Sequence, residues 1–242
     1  MAEVASYKHE DHLFRSADEY ANAKYDITTR WLGLAGRGGV AGKTLANVGC
    51  GSGEFNLRAA ALGLEVVACE PEERAYRLAL AASDGVASIR VLRMGLAELA
   101  AAAAPVDFVV MHDVLEHLDD EGAAIAAIRK LLNPGGEAVL SVPAFQWLFG
   151  HHDVQLGHQR RYTRGRLVEL FRDGWDVLRS RYYGPAFVPV TLVISRWLKR
   201  SYPVKGASSP WPRAAFRAFC QLQRAVPSPF GTSVLLHVRK TG

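Results

Sequence analysis

Cysteine is scarce in this chain: three in 242 residues, Cys50, Cys69 and Cys220, with no CxxC pair. A disulfide framework is therefore not expected, and the thiols fit a reducing, cytoplasmic setting. Long hydrophobic runs are missing as well. The longest apolar stretch, "GPAFVPVTLVISRWL" at 184–198, is too short and too interrupted by proline to span a bilayer, although it can lie on one. The opening "MAEVASYKHEDHLF" has no apolar segment behind a basic start, so no signal peptide is expected. Repeats and low-complexity linkers are also lacking, and one domain with insertions is the expectation. Acidic residues run out in one place. Residues 159–242 hold 3 against 16 Lys+Arg (+13), while residues 1–158 hold 21 against 13 (−8). Such a cationic third points to an anionic partner: a phosphate or carboxylate on an acceptor, a nucleic acid, or an acidic membrane surface.

What is present is an alternation. Apolar runs at 44–49, 65–70, 88–93, 107–112 and 137–142 read as strands, and helical patterns such as "EFNLRAAALG" and "GAAIAAIRKLL" lie between them. Strands separated by helices of this length imply right-handed crossovers and a parallel sheet covered on both faces. In such a sheet ligands bind at the carboxyl ends of the strands.

The segment "LANVGCGSGEFN" (45–56) places Gly49, Gly51 and Gly53 at the end of the first strand. Three glycines there suit a small molecule approaching the main chain where a Cβ would intrude. The spacing is GxGxG, whereas a dinucleotide fingerprint needs GxGxxG. Glu70 ends the second strand, 21 residues after Gly49. A carboxylate at that position can accept hydrogen bonds from both hydroxyls of an unphosphorylated ribose.

With "NVGCGSG", "ACEPEE", "VDFVVMHDVLEHL" and "LLNPGGEAVLSVP" in this order, residues 40–183 resemble the class I S-adenosylmethionine-dependent methyltransferases. The resemblance implies an α/β, Rossmann-like sheet of seven mostly parallel strands, the last antiparallel, with S-adenosyl-L-methionine as cofactor. Its methionine moiety would lie over Gly49, Cys50, Gly51 and Gly53. Glu70 and Pro71 would meet the ribose, and Gly95, Leu96 and Ala97 the adenine. Two positions depart from the family pattern: Asn47 and Leu96 stand where an acid is usual. Asparagine accepts a hydrogen bond but brings no countercharge. Tyr20 and Tyr25 can fold over the sulfonium, which favours an aromatic face.

A sulfonium methyl is already activated, so alignment is the main demand, and a hydroxyl or ammonium acceptor needs a base. His112, His117 and His158 are the candidates, and His112 is expected at the mouth of the cofactor pocket as well. Asp113, Glu116 and His117 have the i, i+3, i+4 spacing of one helical face, and His158 or His152 can complete an N/O cluster for Mg²⁺, Mn²⁺ or Zn²⁺. This set is similar to the metal site of small-RNA 2′-O-methyltransferases and quinone-pathway O-methyltransferases. "GHQRRYTR" adds likeness to the RNA family around His158, Tyr162, Thr163 and Arg164. Arg160, Arg161 and Arg164 can clamp an acidic acceptor. A structural role, with Glu116 and His117 pinning their loop, competes with the metal.

Strand-like "WDVLRSRYY" (175–183) and "GTSVLLHVRK" (231–240) bracket an insert with two amphipathic helical patterns. The expected organisation is one domain: cap 1–43, cofactor core 44–183, helical insert 184–231 and last strand 232–242. The insert reads as a lid, a dimer contact, or an interfacial pair presenting Trp197, Trp211, Lys199 and Arg200 to lipid headgroups. The leading reading is an O- or N-methyltransferase of a small anionic or polyhydroxylated molecule, cytoplasmic or peripheral to a membrane. An RNA-modifying enzyme, a lipid-linked acceptor and a non-methylating cofactor-binding relative are the alternatives.

Overall fold

The computed structural model describes residues 18–34, 40–200, 213–226 and 228–242; Trp211 and parts of the expected cap and insert lie outside them. Seven strands form one sheet: β1 (Thr44–Val48), β2 (Glu65–Cys69), β3 (Ile89–Leu92), β4 (Val106–His112), β5 (Leu132–Pro143), β6 (Trp175–Tyr183) and β7 (Ser233–Lys240). Their order is β3-β2-β1-β4-β5-β7-β6. Strands β1 to β5 pair in parallel, and β7 runs antiparallel to β5 and β6. The sheet expected from the sequence is present, antiparallel last strand included.

The central strands β1, β4 and β5 are largely apolar runs because both faces of the sheet are covered there. Along β4, Phe108 and Val110 join one core cluster while Val109 and Met111 join the other, on the opposite face. Three of the covering helices begin at acidic side-chain caps, Asp18, Glu72 and Asp120. Helix α1 (Glu19–Trp31) opens on Asp18, which accepts from the Tyr20 and Ala21 amides at 3.0 Å. Helices α2 (Glu54–Ala61), α3 (Glu73–Ala82), α4 (Leu96–Ala102) and α5 (Glu121–Leu131) fill the crossovers, and α5 stops before Asn133-Pro134-Gly135.

Beyond β5 come α6 (His151–Leu156) and α7 (Arg164–Glu169), the latter packed on β6 and β7. Between β6 and β7, a helix α8 starts at Val188–Thr191 and continues with wider turns through Trp197; α9 spans Arg213–Ala225. Ala23 and Ile27 of α1 pack with Tyr183, Leu235 and Cys220 of α9, so cap and insert share one apolar cluster on the sheet. Gln221 also donates to Asp26 at 2.8 Å. The strand order reverses between β1 and β4, and the crevice at their carboxyl ends is where such a sheet offers a binding site.

Candidate functional site

The glycine loop between β1 and α2 divides its work among three residues. Gly49, Gly51 and Gly53 all have positive φ, at 64°, 56° and 92°. A Cβ on Gly49 would lie 2.4 Å from Val114 Cγ2, and one on Gly53 would lie 3.2 Å from the Ala79 backbone, so both are glycines for packing. A Cβ on Gly51 would meet nothing within 4 Å. That open space above the loop is the cradle a ligand can enter. Glu70, 7% exposed, accepts from the Gly51 amide at 3.0 Å and the Glu72 amide at 3.1 Å, which holds its carboxylate beside the loop. Asn47 donates to Asn56 at 2.7 Å and pins the first turn of α2 to β1. Burial, with the Glu70 charge nearby, pushes the Cys50 thiol up to about 12, so it is an inert neutral wall.

The expected adenine and ribose positions vary in exposure. Pro71 and Ala97 are exposed, Gly95 donates to Glu98 at 2.7 Å, and the Leu96 side chain turns into the core at 8% exposure. Tyr20 is elsewhere. Its hydroxyl bonds Thr232 and Ser233 at 2.7 and 2.9 Å, and its ring packs on Tyr183 and Phe187, so it braces α1 against β7. Tyr25 is the aromatic that approaches the loop side, with Phe55 and His112 at ring distances of 5.3 and 5.0 Å.

At the end of β4 the chain turns sharply, because Asp113 takes a φ of 54°. One short 3₁₀ turn, Leu115–His117, follows in place of an α-helix. The helical-face argument that grouped Asp113 with Glu116 and His117 therefore fails. Asp113 instead pairs with Lys24 of α1 and accepts from Ser141 at 3.0 Å. Burial would raise its pKa, but the Lys24 ammonium outweighs that and holds it down at about 2. Burial likewise opposes charge on Lys24, and Asp113 more than compensates, lifting it above the usual lysine range. His112 bonds Thr28 Oγ1 at 2.9 Å; burial first, then Lys24, lower it to about 3. At neutral pH it is an uncharged contact.

Glu116, His117 and His158 do come together, with one potential ligand atom from each lying within 4.8 Å of the others. Glu116 is fully buried, and neither of its carboxylate oxygens has a hydrogen-bond partner among the described residues. Burial, reinforced by the Asp113 charge, raises its pKa well above the usual carboxylate value. His158 bonds Asp153 through Nδ1 at 2.9 Å and presents Nε2 3.8 Å from Glu116 Oε1. His117 bonds the Gly157 carbonyl through Nδ1 at 3.1 Å. Donation from Nδ1 fixes each ring's lone pair on Nε2, the arrangement that second-shell acceptors give to metal-binding imidazoles. Two imidazoles beside a buried carboxylate that has no hydrogen-bond partner among the described residues fit a divalent cation. His152 is not in the group: its amide bonds Ser195 at 3.0 Å, and burial lowers its ring to about 4.

The basic run after His158 is mainly structural. Arg161 is buried and grips Asp153 with two bonds of 2.7 and 2.9 Å, Arg160 donates to the Leu118 carbonyl at 2.9 Å, and Tyr162 is fully buried. Thr163 caps α7, and Arg164 is exposed. Sequence reasoning missed Lys24, Thr28 and Asp153. For Asp153 a signal existed, an acid five residues before His158; for Lys24 none did.

A family model described as a methyltransferase domain matches residues 46–140. The chain is 37% identical over 188 residues to a ubiquinone biosynthesis O-methyltransferase of Caulobacter vibrioides, covering 69% of this chain and 71% of that one. An uncharacterized methyltransferase of Mycobacterium ulcerans is 36% identical over 132 residues, covering 54% of this chain. The chain spans about half the length of that relative, 51%. Among solved structures, N-methyltransferase NodS from Bradyrhizobium japonicum WM9 superposes with a TM-score of 0.60 at 15% identity, covering 92% of this chain and 97% of that one. At that identity the likeness is one of fold.

Proposed function

The chain belongs to the class I S-adenosylmethionine-dependent methyltransferases, and from that premise we propose that it methylates an oxygen or nitrogen of a small anionic or polyhydroxylated acceptor, such as a natural product, sugar or quinone precursor. S-adenosylmethionine supplies a methyl already activated on a sulfonium, and the Gly51 cradle and Glu70 carboxylate are the residues that would hold it. The protein's remaining task is to align and deprotonate the acceptor.

For that task the reading adds a divalent cation at Glu116, His117 and His158. Such an ion would bind paired acceptor oxygens and lower their pKa. The observation behind it is Glu116, a buried carboxylate without a hydrogen-bond partner among the described residues, beside two oriented imidazoles. Leaving a buried polar group unsatisfied costs about 1–3 kcal/mol, a cost that a bound cation offsets. His158, held by Asp153, is the acceptor-side base if no metal takes part. An RNA substrate is less well supported, because Arg161 and Tyr162 of the suggestive run are buried in the protein.

The test is methyl transfer from labelled S-adenosylmethionine to catechols, vicinal diols and monophenols, with Mg²⁺, Mn²⁺, Zn²⁺ or chelator. Metal-dependent transfer to paired oxygens, lost in Glu116→Gln while S-adenosylhomocysteine still binds, is the expected result. Transfer that ignores the chelator removes the metal from the account and leaves His158.

A further inference from the structure

Helix α8 and its continuation to Trp197 are amphipathic in the inverted sense. The hydroxyl residues Thr191 and Ser195 point inward, at 5% and 0% exposure, while Val190, Val193 and Trp197 face out at 44%, 41% and 70%. Leu198 follows at 57%. The inward face sits tightly on the start of α6: Ser195 Oγ accepts from the His152 amide at 3.0 Å, and a Cβ on Gly150 would lie 2.6 Å from that same oxygen. Val154 of α6 is a further outward apolar side chain, at 61%. A helix that spends its polar side chains on its protein contact and shows valines and a tryptophan to the outside is suited to an apolar outer medium.

The charge around this face narrows the choice. Residues 184–231 contain seven Lys+Arg and no Asp or Glu. Three of the seven, Arg196, Lys199 and Arg200, adjoin Trp197 and Leu198 and are exposed. Tryptophan beside lysine and arginine is the composition of a headgroup-level contact, with the ring at the boundary and the long cations reaching the phosphates. A symmetric dimer through the same patch would set like charges against one another, which disfavours a second copy. No helix among the described residues is long and apolar enough to cross a membrane, so the contact is one of surface.

We propose that the outer face of residues 190–200, with Val154, docks on an anionic lipid bilayer. The contact lies one helix from the candidate metal group, because α6 also carries Asp153, which holds His158. It stands independently of the acceptor and of the metal.

The experiment is co-sedimentation of the full chain with vesicles of phosphatidylcholine alone or in equimolar mixture with phosphatidylglycerol. Wild type is expected to bind the mixed vesicles, to ignore phosphatidylcholine alone, and to release as salt rises. Each surface cation contributes about 1 kcal/mol, so Lys199→Gln with Arg200→Gln should weaken partitioning roughly thirtyfold. Trp197→Ser with Leu198→Ser should weaken it roughly tenfold or more. All four side chains are exposed, so both variants should keep the wild-type melting temperature. Wild type remaining unbound to mixed vesicles, or both variants binding as it does, overturns the proposal. So does a dimer in analytical ultracentrifugation that Trp197→Ser with Leu198→Ser dissociates, which would assign the face to a second copy.

Discussion

Replacing Lys24 with methionine should loosen the cap from the sheet by a predictable amount. Lys24 is 5% exposed and its ion-pair partner, Asp113, lies at the end of β4. Removing one member of a buried pair costs about 3–5 kcal/mol. Asp113 keeps 40% of its side chain exposed and retains the Ser141 bond, so solvent screening reduces the expected loss to roughly 2 kcal/mol. An unfolding entropy of about 2.1 cal/mol/K per residue, taken over the whole chain, turns that into a fall of about 4 °C in Tm. The pH dependence fixes the mechanism. Asp113 is depressed from 3.8 to about 2, so its contribution is present above the unfolded value and is lost as pH falls through the folded one. The gap between wild type and Lys24→Met in urea melts should therefore narrow steadily below pH 4. Equal stability at neutral pH, or a gap that persists unchanged in acid, would refute the pair as the tie between α1 and β4.

Other outcomes follow from the same geometry. Gly51→Ala has room for its Cβ and should lose only the left-handed backbone cost of about 1–2 kcal/mol, yet calorimetry should show S-adenosylhomocysteine binding roughly a hundredfold weaker, about 2.7 kcal/mol. Gly49→Ala should be the more destabilised of the two in thermal melts, because its Cβ meets Val114. Asp153→Asn should cost about 3 kcal/mol in denaturant melts by leaving buried Arg161 without its countercharge. The same change should weaken binding of a metal at Glu116, His117 and His158 by about 10- to 100-fold, because a neutral amide replaces the carboxylate that holds the His158 ring.

Much of the fold was legible because both faces of the sheet are buried, and the strands therefore stand out as apolar runs between helical patterns. Strand β4 was placed to within one residue of its observed start at Val106. The Glu70 position and the glycine loop were legible from spacing. Which glycines serve packing was not, since Val114 and Ala79 reach Gly49 and Gly53 only through tertiary contact. Asp113 misled for a local reason: side chains share a face at i, i+3, i+4 only in a helix, and the positive φ at Asp113 starts the segment outside one. Lys24 left no trace, because its partner lies 89 residues away and a lysine in an amphipathic helix looks like any solvated charge. Glu116, His117 and His158 converge although their expected helix is absent, since the 3₁₀ turn and the Gln159 amide bond to the Glu116 carbonyl, 2.9 Å, hold the two loops side by side.

The central claim is that this crevice binds S-adenosylmethionine through Glu70 and the Gly51 cradle. Calorimetric titration with S-adenosylhomocysteine, on wild type and on Glu70→Ala, tests it most directly. Hydrogen bonds to a charged acceptor contribute about 1.5–3 kcal/mol, so the account predicts saturable one-site binding that weakens roughly ten- to a hundredfold in a Glu70→Ala protein that still melts cooperatively. A folded wild type that does not bind, or a Glu70→Ala variant that binds equally well, would contradict it.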